Sequence, residues 1–133
     1  MLGEMIAEFR GKRTGRRVIS VDGGLKVEVT FEEKGTVLGH DAMNMGTYWS
    51  GPRPDGNLYG EGQGAITTAD GQLATWKGQG VGKLLPGGAV SYRGACYLST
   101  PGTALARLNS VASIFEFDVD ADGNTHGKFW EWK

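Results

Sequence analysis

The residues best placed to do chemistry in this sequence are aromatic and polar side chains in the middle of predicted strands. Aromatic rings can line a mostly apolar cavity, and a few fixed polar groups inside it can orient a small molecule. A buried glutamate would have a raised pKa there and could act as an acid or a base. The predicted ligand-binding residues are five rings and three orienting groups: Tyr48, Trp49, Tyr59, Trp76 and Tyr92, with Glu61, Gln63 and Arg93.

The alternative for the orienting groups is structural. Glu61, Gln63 and Arg93 could all point outward, where they would form cross-strand pairs worth ~0.2–1 kcal/mol each on the wet face of a sheet. Only rings and glycines would then face inward. The sequence leaves both orientations open, and it identifies no catalytic residue.

Two glycine-containing motifs resemble ligand loops but lack the required context. Residues 78–83 read Gly-Gln-Gly-Val-Gly-Lys, yet a phosphate loop needs a following helix, and this segment is predicted to be a strand. Residues 118–124 match the first half of a calcium loop. The twelfth position of that loop, which should be a bidentate Glu, is Phe129, so an acidic hairpin tip is expected.

The histidines and the cysteine do not form a recognisable site. His40 and His126 are the only histidines, and Cys96 is the only cysteine, so a zinc ligand set cannot be completed. The sequence contains no nucleophile elbow. We therefore predict no metal and no cofactor.

The net charge, the length of the apolar runs and the cysteine count limit the partners and the cellular location that can be expected. The 133 residues carry a net charge of −1, so no overall field gathers nucleic acid or anionic lipid, and neither is expected as a partner. The one basic cluster, Lys12, Arg13, Arg16 and Arg17, is interpreted as a strand end or hairpin tip. No run approaches the ~18 apolar residues of a membrane span. A single cysteine favours a reducing compartment, so the protein is expected to be cytoplasmic.

The elements that must position these side chains are strands. Val27, Val29 and Phe31 alternate with charged or polar residues, and Phe115 and Phe117 do the same, so these five residues are predicted to be core. Tyr92, Cys96 and Leu98 share one face of another strand, with Arg93 and Tyr97 on the opposite face. The predicted strands are 4–12, 16–21, 25–33, 36–49 (interrupted near His40), 57–67, 73–83, 89–99, 111–119 and 125–132.

Glycine is abundant, because 23 of the 133 residues are glycine and the usual share is ~7%. The glycines recur at regular positions along the chain. Turn signals occur at 22–24, 55–56, 70–71, 86–88 and 122–124. Regular strands joined by tight turns predict one domain spanning residues 1–133, an all-β, up-and-down antiparallel barrel of eight or nine strands. Closure removes the exposed edges of an open sheet. One short helical turn is predicted near residues 103–109.

Glycines also repeat on neighbouring strands, as Gly60-Gly62-Gly64 and Gly78-Gly80-Gly82. A two-residue turn at Asp70-Gly71 would set the second group opposite Gln63 and Glu61. A three-residue turn starting at Ala69 would set glycine opposite glycine and leave a bare face on which large rings can lie.

Several short runs resemble small bacterial hypothetical proteins of similar length, over most of the chain from Gly15 onward. They are residues 46–50, 60–64, 74–76, 91–95, 106–109 and 130–133. The resemblance implies a β-barrel but no activity. More loosely, the glycine-rich meander resembles the calycin-like barrels of allene oxide cyclases and lipocalins, which bind lipophilic small molecules and in some cases steer cyclisations through cavity shape.

Three functions therefore remain open. The first is binding of a small, partly apolar molecule in a barrel cavity, with a lipophilic ligand as partner. The second is a cyclase- or isomerase-like enzyme. The third is a structural or oligomer-forming module with a filled barrel, in which case copies of this chain are the partners. An open cavity would favour the first two, and a filled interior would favour the third.

Overall fold

A computed structural model describes all 133 residues as one closed, antiparallel barrel of eight strands in chain order. The predicted fold is confirmed. The strands are β1 (Leu2–Ser20), β2 (Lys26–Val37), β3 (His40–Pro52), β4 (Leu58–Thr68), β5 (Leu73–Leu84), β6 (Val90–Ser99), β7 (Ala112–Val119) and β8 (Asn124–Trp132). The helical content is two 3-10 turns, Pro86–Gly88 and Ala106–Ser110, the second at the predicted place. No helix is long and apolar enough to cross a membrane.

The first strand differs from its prediction. The sequence predicted two strands, 4–12 and 16–21, whereas β1 is continuous and carries an irregularity between Arg13 and Gly15. A β-bulge adds one residue to a strand and increases its local twist without ending it. The predicted gap at residues 13–15 is therefore an irregularity within one long strand.

The sequence predicted a gap between strands at residues 34–35 and an interruption near His40, and only the second corresponds to a turn. β2 runs through Gly35, and a Cβ at that position would lie only 1.9 Å from the Glu8 carbonyl oxygen. Glycine is needed there for close backbone approach. The hairpin turns instead at Leu38 and Gly39, which have φ of 47° and 81°. Leucine rarely adopts positive φ, so the sequence carried little signal for this turn.

The five predicted glycine turns are confirmed, each with at least one glycine at positive φ. In the turn between β4 and β5, the Thr68 amide donates to the Gln72 carbonyl oxygen across the three residues 69–71. Gly62 therefore pairs with Gly78, and Gly60 pairs with Gly80. Of the two turns that the sequence left open, the structure has the three-residue turn starting at Ala69, which sets glycine opposite glycine.

Two buried clusters fill the barrel. The larger one lies at the end covered by the Ala106–Ser110 turn, where Leu105 and Leu108 are fully buried; we call this the closed end. The smaller one, around Phe31, Tyr92 and Phe117, lies toward the opposite end, which we call the rim. Of the predicted core residues, Val29, Phe31 and Phe117 are buried, and Val27 and Phe115 are partly buried.

The barrel closes where β1 pairs with β8, and this seam ends at Lys12 paired with Asn124. Beyond Lys12, β1 continues with β2 alone, as a hairpin that extends past the rim. The hairpin and the β7–β8 turn therefore border the same end of the barrel.

Candidate functional site

The barrel encloses a cavity of about 60 Å³ between the two clusters. One part of its wall is backbone, because the inward positions of β4 and β5 there are Gly60, Gly62, Gly78 and Gly80. Glu61 and Gln79 lie between these glycines and also border the cavity, but their side chains are exposed on the outer face. Aromatic rings form most of the remaining wall: Phe31, Tyr48, Trp76, Tyr92, Phe115, Phe117 and Phe129. We call the four glycines the glycine wall. The cavity exists because these strands offer backbone where a barrel normally offers side chains.

Next to the glycine wall, rings occupy the space that other glycines leave. A Cβ on Gly64 would lie 2.4 Å from the Trp76 ring, and a Cβ on Gly46 would lie 2.6 Å from it. Tyr92 lies in the same way against Gly82, at 2.6 Å. The bare face thus receives large rings, as the glycine-opposite-glycine register predicted, and only a small void remains unfilled.

A chain of polar side chains crosses the cavity floor. The Trp76 indole nitrogen donates to Asn44 Oδ1 at 2.8 Å, and Asn44 Nδ2 donates to Glu33 Oε1 at 3.1 Å. The Thr125 hydroxyl donates to Glu33 Oε2 at 2.7 Å. Glu33 and Asn44 are each only 2% exposed. Four side chains from β2, β3, β5 and β8 are thereby held in one arrangement.

Glu33 is the carboxyl at the centre of this chain. Burial raises its pKa, and the hydrogen bonds from Thr125 and Asn44 oppose that rise without cancelling it. No arginine or lysine pairs with it. A carboxyl of this kind can exchange a proton with a bound molecule or accept a hydrogen bond from one.

The sequence did contain a signal for Glu33, although the residue was not among the predicted site residues. Val27, Val29 and Phe31 alternate toward the interior, and two more residues along β2 in the same phase lead to Glu33. Asn44 follows from the same alternation on β3. The alternation of inward and outward positions along a strand was therefore enough to place Glu33 inside the barrel. It was overlooked because a charged side chain is normally expected to face solvent.

A layer of rings separates the cavity from the rim. Phe31 and Phe117 have centroids 4.9 Å apart, and Tyr48 lies 5.7 Å from Phe117 and 5.6 Å from Tyr92. The Tyr92 hydroxyl donates to Ser50 Oγ at 2.7 Å. Burial raises the pKa of Tyr48, which keeps its hydroxyl protonated at any ordinary pH.

Three of the eight predicted ligand-binding residues point their side chains into the cavity: Tyr48, Trp76 and Tyr92. The other five face outward, because they occupy the opposite phase of their strands: Trp49, Tyr59, Glu61, Gln63 and Arg93. Glu61 also borders the cavity, but only through its position between Gly60 and Gly62 on β4. The structure therefore separates the rings from their predicted orienting groups. Glu33 and Asn44 take the place inside the barrel that was expected for Glu61, Gln63 and Arg93.

The outward residues have partners on the outer surface. The Tyr59 hydroxyl donates to Glu61 Oε2 at 2.8 Å, and its ring lies 5.7 Å from that of Trp49. Arg93 forms ion pairs with Asp118 at 3.0 Å and Glu116 at 3.8 Å. Gln63 borders a shallow groove on the same surface. The ion pairs of Arg93 with β7 are cross-strand pairs of the kind expected in the structural alternative, whereas the Tyr59–Glu61 hydrogen bond lies within β4.

The remaining candidate groups lie outside any organised site. His126 lies within 2.7 Å of Glu8 on the outer surface, and no group of three or more His, Cys, Asp or Glu side chains could hold a metal ion. Cys96 borders the cavity, but burial raises its thiol pKa to about 12, so thiolate chemistry is suppressed.

Comparison with known proteins shows the fold and not an activity. No protein-family profile and no curated protein matches the sequence. Among solved structures, a protein of unknown function from Clostridium acetobutylicum is similar with a TM-score of 0.83 and 14% identity, over 98% of this chain and 97% of that one. A conserved protein of unknown function from Rhodopseudomonas palustris has a TM-score of 0.79 and 10% identity, over 98% and 97%.

A third solved structure, a β-barrel-like protein from Acinetobacter baumannii, has a TM-score of 0.81 and 12% identity, over 100% of this chain and 96% of that one. The resemblance to uncharacterised bacterial barrel proteins is thus confirmed at the level of the fold. The looser likeness to allene oxide cyclases and lipocalins stays a prediction.

Proposed function

We propose that this protein binds a small, partly apolar molecule in the cavity inside its barrel. The observation that carries the proposal is the glycine wall facing aromatic rings, with Glu33 and Asn44 at the floor. Rings offer apolar contact with little conformational entropy to lose, and the floor can hydrogen-bond one polar group of the ligand. A cytoplasmic setting is part of the proposal, because the single cysteine is a free thiol.

The size of the cavity limits the ligand. A volume of about 60 Å³ is less than half of the ~150 Å³ cavity that takes up benzene. It accommodates about four waters if each needs ~15 Å³. The expected ligand is therefore slender, such as an unbranched aliphatic chain, and its longer forms enter as the ring layer at Tyr48 and Phe117 shifts.

Binding can be tested with a panel of slender and bulky compounds, followed by tryptophan fluorescence and calorimetry. Gly78→Ala places a methyl group against the cavity, with its nearest neighbour at 3.1 Å, and should weaken binding. Gly51→Ala is the matched control, because its Cβ would meet nothing closer than 3.8 Å and Gly51 does not line the cavity. If no compound binds, or if both variants bind equally well, the cavity is not the site.

A cyclase or isomerase is a second candidate, and the observation favouring it is the raised pKa of Glu33 beside the cavity. A proton-transferring carboxyl is the machinery that such chemistry needs. The test is to recover a bound compound after incubation and to compare its isomers by chromatography. Conversion that is lost in Glu33→Gln, while binding persists, would establish the enzyme.

A structural module is the third candidate, favoured by the rings that fill most of the interior. Native mass spectrometry of gently purified protein distinguishes it from the first two. A bound small molecule would support the binding function, whereas a ligand-free assembly of several copies would favour the structural one.

A further inference from the structure

Two arginines on the hairpin at the rim have no carboxylate partner. Arg10, Arg17, Arg93 and Arg107 each lie within ion-pair distance of an acidic residue, whereas Arg13 and Arg16 do not. Arg13 is half-buried and Arg16 is exposed. An arginine that is partly withdrawn from water, as Arg13 is, usually pairs with an anion, because its charge is otherwise left uncompensated.

The β-bulge in β1 places both arginines on the inner side of the hairpin. Residues 13 and 16 would face opposite sides of a regular strand, since they differ by an odd number. The extra residue between Arg13 and Gly15 changes this, so that Arg13 pairs with Phe31 and Arg16 pairs with Val29. Phe31 and Val29 are both buried on the interior face, and both arginines therefore lie on that side.

Arg13 is held close to the rim. Its backbone amide donates to the Gly123 carbonyl oxygen at 2.8 Å, and its guanidinium packs against the same β7–β8 turn. The side chain is half-buried. Asp120 of that turn forms no ion pair with it, and its carboxylate instead accepts hydrogen bonds from the amides of Asp122 and Asn124 and from the Asn124 side chain.

Tyr48 is the polar group of the cavity that lies level with Arg16 in the register, since it pairs with Val29, which pairs with Arg16 on the other side. Arg13 lies level with Phe31 and Gly46, and Tyr48 is two residues from Gly46 on β3. Burial is the largest cause that raises the pKa of the Tyr48 hydroxyl, Tyr92 and Glu33 raise it further, and the positive charge of Arg13 acts to lower it. Among the inward hydroxyl, amide and indole groups lining the cavity, Tyr48 alone lacks a hydrogen-bond partner in the chain.

A guanidinium and a protonated hydroxyl are both donors without an acceptor, and together they match a carboxylate. A guanidinium binds both oxygens of a carboxylate through two parallel N–H donors, and a phenol can add a third hydrogen bond. Glu33 does not pair with Arg13, because its two carboxyl oxygens accept hydrogen bonds from Asn44 and Thr125 at the cavity floor. Along β2 it lies two residues beyond Phe31, the partner of Arg13, a separation of about 7 Å at 3.3 Å per residue.

We propose that the ligand of this barrel is an aliphatic carboxylic acid, whose carboxylate is bound at the rim by Arg13 and Tyr48. Its chain passes through the ring layer toward the glycine wall, and Arg16 adds positive charge beside the entrance. This inference rests on the proposed function and adds the chemical class of the ligand to it.

The test compares octanoate with octanamide, which has the same chain and no charge. Calorimetry on the native protein should show octanoate binding about tenfold or more tightly, since hydrogen bonds to charged groups are the strong ones. Raised salt should weaken octanoate binding and leave octanamide unchanged. Arg13→Gln should reduce the preference to within about threefold, and Arg13→Lys should restore part of it through charge alone.

Matched variants separate recognition from folding. Arg53→Gln removes another arginine without an ion-pair partner, from an exposed loop, and should leave the preference unchanged. Tyr48→Phe should reduce it, whereas Tyr92→Phe should not, because the Tyr92 hydroxyl is already bonded to Ser50. Equal affinity for octanoate and octanamide would overturn the carboxylate proposal and leave the cavity proposal standing. Binding of neither compound, nor of any other in the wider panel, would overturn both.

Discussion

Replacing Gly64 with alanine should destabilise the barrel by about 2–4 kcal/mol. The new methyl carbon would lie 2.4 Å from two atoms of the Trp76 ring and 2.4 Å from the Met45 carbonyl oxygen. Non-bonded carbons prefer ~3.5–4.0 Å, so the ring would have to move by more than ~1 Å. That movement would break its 2.8 Å hydrogen bond to Asn44. Overpacking costs ~1–3 kcal/mol and a lost buried hydrogen bond about 1 kcal/mol more.

Urea titration measures this loss as a lower unfolding midpoint at an unchanged slope. Gly51→Ala, which meets no close neighbour, should change the free energy of unfolding by less than about 1 kcal/mol. In a Trp76→Phe background, Gly64→Ala should cost at least about 1 kcal/mol less, because the smaller ring relieves part of the clash. A loss below about 1 kcal/mol for Gly64→Ala in the native background would refute the claim that Trp76 occupies the space left by the glycines.

Four further predictions concern single residues. Phe117→Ala should cost about 3–5 kcal/mol in the same titration, and a loss below about 1 kcal/mol would contradict its place in the core. Glu33→Gln should stabilise the protein near pH 7 but not near pH 4. The reason is that a carboxyl whose pKa is raised in the folded protein destabilises the fold as the pH rises above the usual pKa of 4.5. Equal effects at both pH values would count against a raised pKa. Cys96 should react with a thiol reagent only on unfolding, and rapid labelling of native protein would show otherwise. Calcium should not raise the melting temperature, because Asp120 is bonded to its own turn; a rise abolished by Asp120→Ala would be contrary evidence.

The strand order and turns could be predicted because each has a local signal. Alternation marked the strands, and Asp-Gly or Gly-Gly pairs marked the turns at positive φ. The turn at Leu38 was predicted only as an interruption near His40, because leucine gives no turn signal. Gly35 was misread as a break because close backbone approach and turning favour the same residue.

The candidate site was harder to predict because it depends on which face of each strand points inward. Arg93 directly follows Tyr92 on β6, so the two side chains point to opposite faces of the sheet. With Tyr92 facing inward, the alternation already favoured an outward arginine. Glu33 required the phase of β2 to be followed past Phe31 despite its charge. The shared orientation of Arg13 and Arg16 depends on a bulge, which residue types alone do not specify.

The pairing of β1 with β8 has a consequence for how the chain folds. Each of the other seven strand pairings joins neighbours in sequence, but the closing one joins residues more than a hundred positions apart, such as Phe9 and Gly127. Closing so long a loop costs chain entropy before any contact repays it, so the seam is expected to form late and to limit the folding rate. Until β8 has been synthesised, β1 and β7 both present unpaired edges. Slow or interrupted translation near residue 124 should therefore favour aggregation of the nascent barrel over its closure.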